Sequence, residues 1–244
     1  MYAKSADAGR CLFGRIGCIL LSLFLLNCTS SDSYVQQGKV LMQQAKFREA
    51  VQLLNQAVEA DAGNAEAFNT RGVAYFELKE YANANLDYEQ AIKLNPTAYR
   101  PYYNRALLKT AQGDVAAALS NYSDAIRVAP DTAENYLNRG QLFATEGQLQ
   151  PAINDFTQAI RLSPKNALAL YNRGNLRYQQ KDLTGAVADF QQAVAADPKF
   201  GKAFYALGIA QVLQDQRDTG CLSLKQAQQL GYADAPSAVA AYCQ

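Results

Sequence analysis

Histidine is missing from all 244 residues, and tryptophan with it. The lack of histidine excludes His-based general acid–base chemistry, histidine-containing triads and histidine metal sites together. Catalysis would have to rest on carboxylates, lysine, tyrosine or cysteine. No phosphate-cradling glycine loop, metal-ligand cluster or nucleophile–base pair is visible. The chain therefore reads as a non-enzyme, with no cofactor, no metal and no small-molecule substrate. A dominant charge is lacking too. Lys plus Arg is 23 against 22 for Asp plus Glu, so there is no broad basic field of the kind that binds nucleic acid. What is present is apolar mass, 49% of the chain, and 15 tyrosines, enough to build a packed core.

The longest apolar run, Ile16 to Leu26, is 11 residues, short of the roughly 20 that cross a bilayer as a helix. Lys4, Arg10 and Arg15 precede it and a small polar stretch follows, the layout of a secretory signal peptide. A buried core helix fits less well, because Gly14 precedes the run, Gly17 interrupts it and it has no polar side. Leu25-Leu26-Asn27-Cys28 resembles the bacterial lipobox. That resemblance implies cleavage after residue 27 and lipid on Cys28. Asn27 departs from the small residue usual there, and an ordinary signal peptide or uncleaved anchor is the other reading. Two or three acyl chains would hold the protein on a membrane, with residues 28–33 as a short tether. The absence of Asp after the cysteine, where Thr29 stands, favours the outer membrane facing the periplasm by the enterobacterial sorting rule.

The rest of the chain repeats. Steps of 34 from Gly38 land on Gly72, Ala106, Gly140, Gly174 and Gly208, all small. Twelve residues after each come Ala50, Ala84, Ala118, Ala152, Ala186 and Gly220. Nineteen after come Ala57, Ala91, Ala125, Ala159, Ala193 and Ala227. Sixteen after come the large Leu54, Tyr88, Tyr122, Phe156, Phe190 and Leu224. Pro96, Pro130, Pro164 and Pro198 close the inner four units. Small columns let paired helices approach, the large column fills the gap between them, and each proline stops a second helix. Pro101 and Pro151 fall at helix starts, where proline is tolerated.

These columns resemble the tetratricopeptide repeat family, as do the runs Phe68–Tyr75 and Tyr171–Asn175. The resemblance implies an all-α, right-handed superhelical solenoid of antiparallel helix pairs. Its six units cover about 31–64, 65–98, 99–132, 133–166, 167–200 and 201–230, with a capping helix over 231–244. Lys109, Arg177 and Gln211 stand where a large apolar residue is usual, and Ala62 replaces the first proline. Those sites are expected to be looser or more solvated.

In this family the first helix of each pair lines a concave face. Carried over position by position, the lining includes Phe76, Tyr103, Tyr171, Tyr178 and Tyr205 as rings. Asn104, Asn138 and Asn172 form an asparagine ladder, a known backbone grip in the family. Asn69, Gln141 and Asn175 add amides. Arg100 and Lys202 add positive charge, and Glu66, Glu77 and Glu134 negative. Such a surface suits an extended peptide or protein partner, since amides bond a backbone and rings pack its side chains. Asparagine at the ladder position also belongs to the plain family consensus, so a packing role stands beside the binding one. The lysine–asparagine clamp with which some members hold chaperone C-termini is absent from every candidate pair. Arg71, Arg105, Arg139 and Arg173 form a column that can pair with Asp87, Asp124, Asp155 and Asp189 on second helices, a structural arrangement more than a ligand site.

At the far end Gly231 ends a helix, Asp234 is placed to cap the next one, and Pro236 fits its first turn. Cys221 and Cys243 are equidistant from residue 232, so an antiparallel hairpin brings them side by side. An exported compartment would oxidise them to a disulfide; two buried free thiols is the alternative. The functional expectation is a lipid-anchored adaptor in the cell envelope, or else a fixed subunit of an envelope assembly machine.

Overall fold

The computed structural model describes residues 30–243. Six antiparallel pairs follow one another: α1 (Ser31–Gln43) with α2 (Phe47–Ala60), α3 (Ala65–Glu77) with α4 (Tyr81–Leu94), α5 (Tyr99–Ala111) with α6 (Val115–Val128). The series continues with α7 (Ala133–Thr145) and α8 (Leu149–Leu162), α9 (Ala167–Gln179) and α10 (Leu183–Ala196), then α11 (Gly201–Leu213) and α12 (Arg217–Gln229). The short α13 (Ala235–Tyr242) closes the stack. Each helix packs on its partner and on its neighbours in sequence, and the core runs along the stack as a series of apolar clusters. Cys28 and the leader lie outside the described residues. Among those described, no helix is long and apolar enough to cross a membrane.

Close approach explains the small columns. A Cβ on Gly72 would lie 2.6 Å from the Tyr88 ring, and one on Gly174 2.7 Å from Phe190. In the last pair the backbones themselves meet: a Cβ on Gly208 or on Gly220 would stand 2.9 Å from the carbonyl oxygen of the other. The large column is buried throughout, from Leu54 to Leu224. The inner prolines each sit two residues past the end of a second helix. Where Ala62 replaces proline, Asp61 Oδ1 still accepts the Gly63 N–H at 2.8 Å, the same turn bond that Asn95 and Asp197 make beside Pro96 and Pro198.

All six first helices end alike. The N–H of the second residue beyond each cap returns to a carbonyl five residues back, as in Glu80 to Tyr75 at 2.9 Å and Asp182 to Arg177 at 2.9 Å. This closure needs a left-handed residue between. Gly113 and Gly147 supply it freely, whereas Ala45, Lys79, Lys181 and Asp215 hold φ of 57–63°. A side chain there costs about 1–2 kcal/mol, part of which glycine loses again to its freer unfolded chain. Lys79→Gly and Lys181→Gly should therefore each stabilise by about 0.5–1 kcal/mol, read as a higher urea midpoint at unchanged m.

The arginine column is structural. Arg71, Arg139 and Arg173 each present Nε and Nη2 to both oxygens of Asp87, Asp155 and Asp189, at 2.7–2.9 Å. Their Nη1 atoms reach back to the preceding second helix, at Asn55, Ser123 and Thr157. Each arginine thus ties three helices. Burial pushes the Asp87 carboxyl up while Arg71 pulls it down; the hydrogen bond that Arg71 donates to Asp87 holds Arg71 above its ordinary range. The pairing expected for Asp124 is corrected: it bonds Arg127 one turn away on its own helix, and Arg105 Nε instead donates to Asn121 Oδ1 at 2.6 Å. The equivalent position is sixteen residues on, where Asn121 stands and Asp124 does not.

Other differences share a cause: polar side chains found partners. Gln211 is buried and its Oε1 accepts Ser223 Oγ–H at 2.8 Å, while Arg177 reaches Asp189 at 2.8 Å. Neither site is loose. Ser31 to Ser33, expected in the tether, already form the first turn of α1, where Ser31 Oγ donates to the Ala57 carbonyl at 2.8 Å. Asp234 makes no side-chain cap on α13.

One buried side chain has both of its polar atoms unpaired. Asn135 in α7 is fully buried, and neither side-chain atom has a hydrogen-bond partner among the described residues. The same place in the two repeats on either side holds Ala67, Pro101, Ala169 and Ala203. A buried unsatisfied amide costs about 1–3 kcal/mol. Asn135→Ala should raise stability by about 1–2 kcal/mol after the loss of packing, visible as a higher melting temperature.

Candidate functional site

The candidate residues all sit on the first helix of a pair, α3, α5, α7, α9 or α11, because the second helices spend their apolar face on both neighbours. Along this face the groove changes character. At its start, two adjoining cavities of about 330 and 340 Å³ are lined by Lys39, Asn69, Tyr99, Arg100, Tyr103, Asn104 and Glu66 or Glu134. Their polar groups are largely spoken for. Lys39 pairs with Glu66. Asn104 donates to Asn69 at 2.9 Å. Tyr103 Oη donates to Glu134 at 2.8 Å, and Asn138 Nδ2 donates to Tyr103 Oη at 3.2 Å and to the Glu134 carbonyl at 3.0 Å. Burial, then the bond to Glu134, pushes the Tyr103 hydroxyl far up.

Midway, Gln141, Asn172 and Asn175 line a cavity of about 320 Å³ with Ala144, Thr145 and Leu176. Their three amides make no hydrogen bond to the rest of the described chain. The far end, about 310 Å³, gathers Tyr171, Asn175, Tyr178, Tyr205 and Lys202 over Phe190. Thus two of the three ladder asparagines, Asn104 and Asn138, bond within the protein, and Asn172 alone is open. Phe76 stands apart: its ring packs on Tyr81 across the turn, centroids 5.8 Å apart.

Tyr232 also lines the far cavity, its ring 4.9 Å from that of Tyr205. It lies outside the repeats, between α12 and α13, and follows Gly231, whose φ of 77° turns the chain back. Periodicity is blind to it. The signal that was available is an aromatic residue directly after a helix-ending glycine at the open end of a groove. Among the described residues no cluster of His, Cys, Asp or Glu is arranged to hold a metal.

A family model for the tetratricopeptide repeat matches residues 35–99, 103–155 and 146–199, about two-thirds of the chain. The chain belongs to the tetratricopeptide repeat family. Such repeats build protein-interaction scaffolds, and that is the class of this tetratricopeptide protein. It is 30% identical over 89 residues to small glutamine-rich tetratricopeptide repeat-containing protein 2 of Saccharomyces cerevisiae, covering 36% of this chain and 26% of the relative. The chain covers between 15% and 26% of the length of the curated relatives it matches. Among solved structures it resembles YrrB, described as having an unusual peptide-binding site, at TM-score 0.63 and 19% identity, over 76% of this chain and 96% of that one. It also resembles PilW, a type IV pilus biogenesis factor, at TM-score 0.70 and 18% identity, over 86% and 97%. At these identities the likeness is one of fold.

Proposed function

We propose that this tetratricopeptide protein is a non-enzymatic adaptor of the bacterial cell envelope, lipid-anchored through Cys28, that grips an extended segment of a partner in its concave groove. The observation that carries the reading is the trio Gln141, Asn172 and Asn175. Three half-buried amides facing one cavity, with no partner in the chain, are what a peptide backbone requires, since each amide offers a donor and an acceptor. The aromatic far end supplies side-chain packing. The peptide-binding site named for YrrB agrees with this use of the fold.

The test is in-cell crosslinking followed by mass spectrometry, comparing the native chain with Gln141→Ala, Asn172→Ala and Asn175→Ala combined. Loss of a partner by the folded variant supports the groove. Persistence of the same partners at fixed stoichiometry favours the second reading, a permanent subunit of an envelope assembly, for which the PilW likeness over nearly its whole length is the support. The anchor is tested separately: Cys28→Ala should release the protein from the membrane fraction and abolish incorporation of labelled palmitate.

A further inference from the structure

We propose that the far end of the groove is an anchoring subsite that takes one large apolar or aromatic side chain with a carboxylate on the adjoining residue, and that Tyr232 completes it from outside the repeats. This rests on the groove reading above and adds the chemistry of the ligand. The floor is the buried Phe190 ring; Tyr171, Tyr178 and Tyr205 stand around it, and Tyr232 closes the open side. At about 310 Å³ the cavity is at the small end of the roughly 300–1,000 Å³ range for ligand pockets. It suits one anchored side chain, not a long ligand. Aromatic walls favour an apolar or ring-bearing occupant, which they can meet edge-on or offset.

The charge complement comes from Lys202. Its ammonium lies 5.3 Å from the centroid of Tyr171, and among the described residues no carboxylate pairs with it. Among the residues lining the middle and far cavities it is the one cation; Arg173 and Arg177, on the preceding first helix, are bound to Asp189. Burial first, and the charge of Asp234 second, raise the pKa values of Tyr232 and Tyr205. Lys202 is thus the one open charge at the mouth of an apolar pocket. A ligand carboxylate there gains a charge-assisted contact beside the Tyr171 ring, while the free amide of Asn175 fixes the intervening backbone.

Fluorescein-labelled, end-blocked hexapeptides test it by anisotropy with the full chain: glycine–serine flanks around phenylalanine–glutamate, phenylalanine–lysine or alanine–glutamate. The phenylalanine–glutamate peptide should bind at least tenfold tighter than either other. Lys202→Glu should reverse the glutamate-over-lysine order, and Tyr232→Ala should shrink the phenylalanine-over-alanine preference. Asn172→Ala should weaken all three alike, with helicity and melting checked for each variant. If all three peptides bind equally, or Lys202→Glu leaves the order unchanged, the subsite is wrong; an Asn172→Ala effect on all three would then leave the groove standing. Failure of every peptide to bind at millimolar concentration overturns the subsite, and the groove is judged by its own crosslinking result.

Discussion

Asp189→Ala is expected to lower the unfolding free energy by about 3–5 kcal/mol, the range for breaking a buried ion pair from one side. Asp189 is 1% exposed. Its two oxygens accept from Arg173 at 2.9 and 2.7 Å and from Arg177 at 2.8 Å. Alanine would leave the Arg173 guanidinium with no anion and Arg177 with only Asp182 at 3.9 Å. Asp87 and Asp155 each hold only one arginine, so their alanine variants should lose less. Asp189→Asn separates charge from shape. Repeat three already pairs Arg105 with Asn121, so an amide can occupy this position, and the asparagine variant should fall between native and alanine. Urea unfolding of the three variants in parallel measures the order. Equal losses for Asp189→Ala and Asp155→Ala would mean that Arg177 contributes nothing at this site.

The same network shows what the sequence made legible. A fixed period of 34 places Arg71 and Asp87, Gly72 and Tyr88, Ala84 and Ala91 in register, because each repeat solves one packing problem in one way. Columns therefore reveal the pair geometry and the six units, while which helix lines the groove came from the resemblance to the family. They fail where a residue's role is set by a neighbour off the column. Asp124 shares its type with the column and misses its phase by three residues. Gln211 looks like a hole in an apolar column until Ser223 is seen opposite it. Asn104 and Asn138 satisfy the family pattern, yet their amides are spent on Asn69 and Tyr103. That distinction depends on side-chain reach between consecutive repeats and is invisible to spacing. Tyr232 contributes from a segment with no repeat at all.

Removing the staple at the far end is expected to cost about 3 kcal/mol in the chain-entropy treatment. Cys221 and Cys243 are joined across 22 residues, with Cα atoms 5.5 Å apart. The closed loop contains α13, Gly231 and Tyr232. The cap has little else to hold it: α13 is eight residues long, far below the length at which an isolated helix is stable, and it buries Ala235 and Ala238. Arg217 Nε adds a bond to the Tyr242 carbonyl at 2.6 Å. In a stack where each unit contacts only its neighbours, losing the cap exposes the last pair first and reaches the others by propagation. Cys221→Ser with Cys243→Ser should therefore speed amide exchange in α11–α13 strongly and in α1–α4 barely. Added reductant should do the same to the native chain and change nothing in the variant. Uniform acceleration along all six pairs would show that the stack unfolds as one unit and that the staple stabilises the whole. Acceleration confined to the end would make the aromatic pocket, whose fourth wall is Tyr232, the part of the groove that depends on the oxidised state.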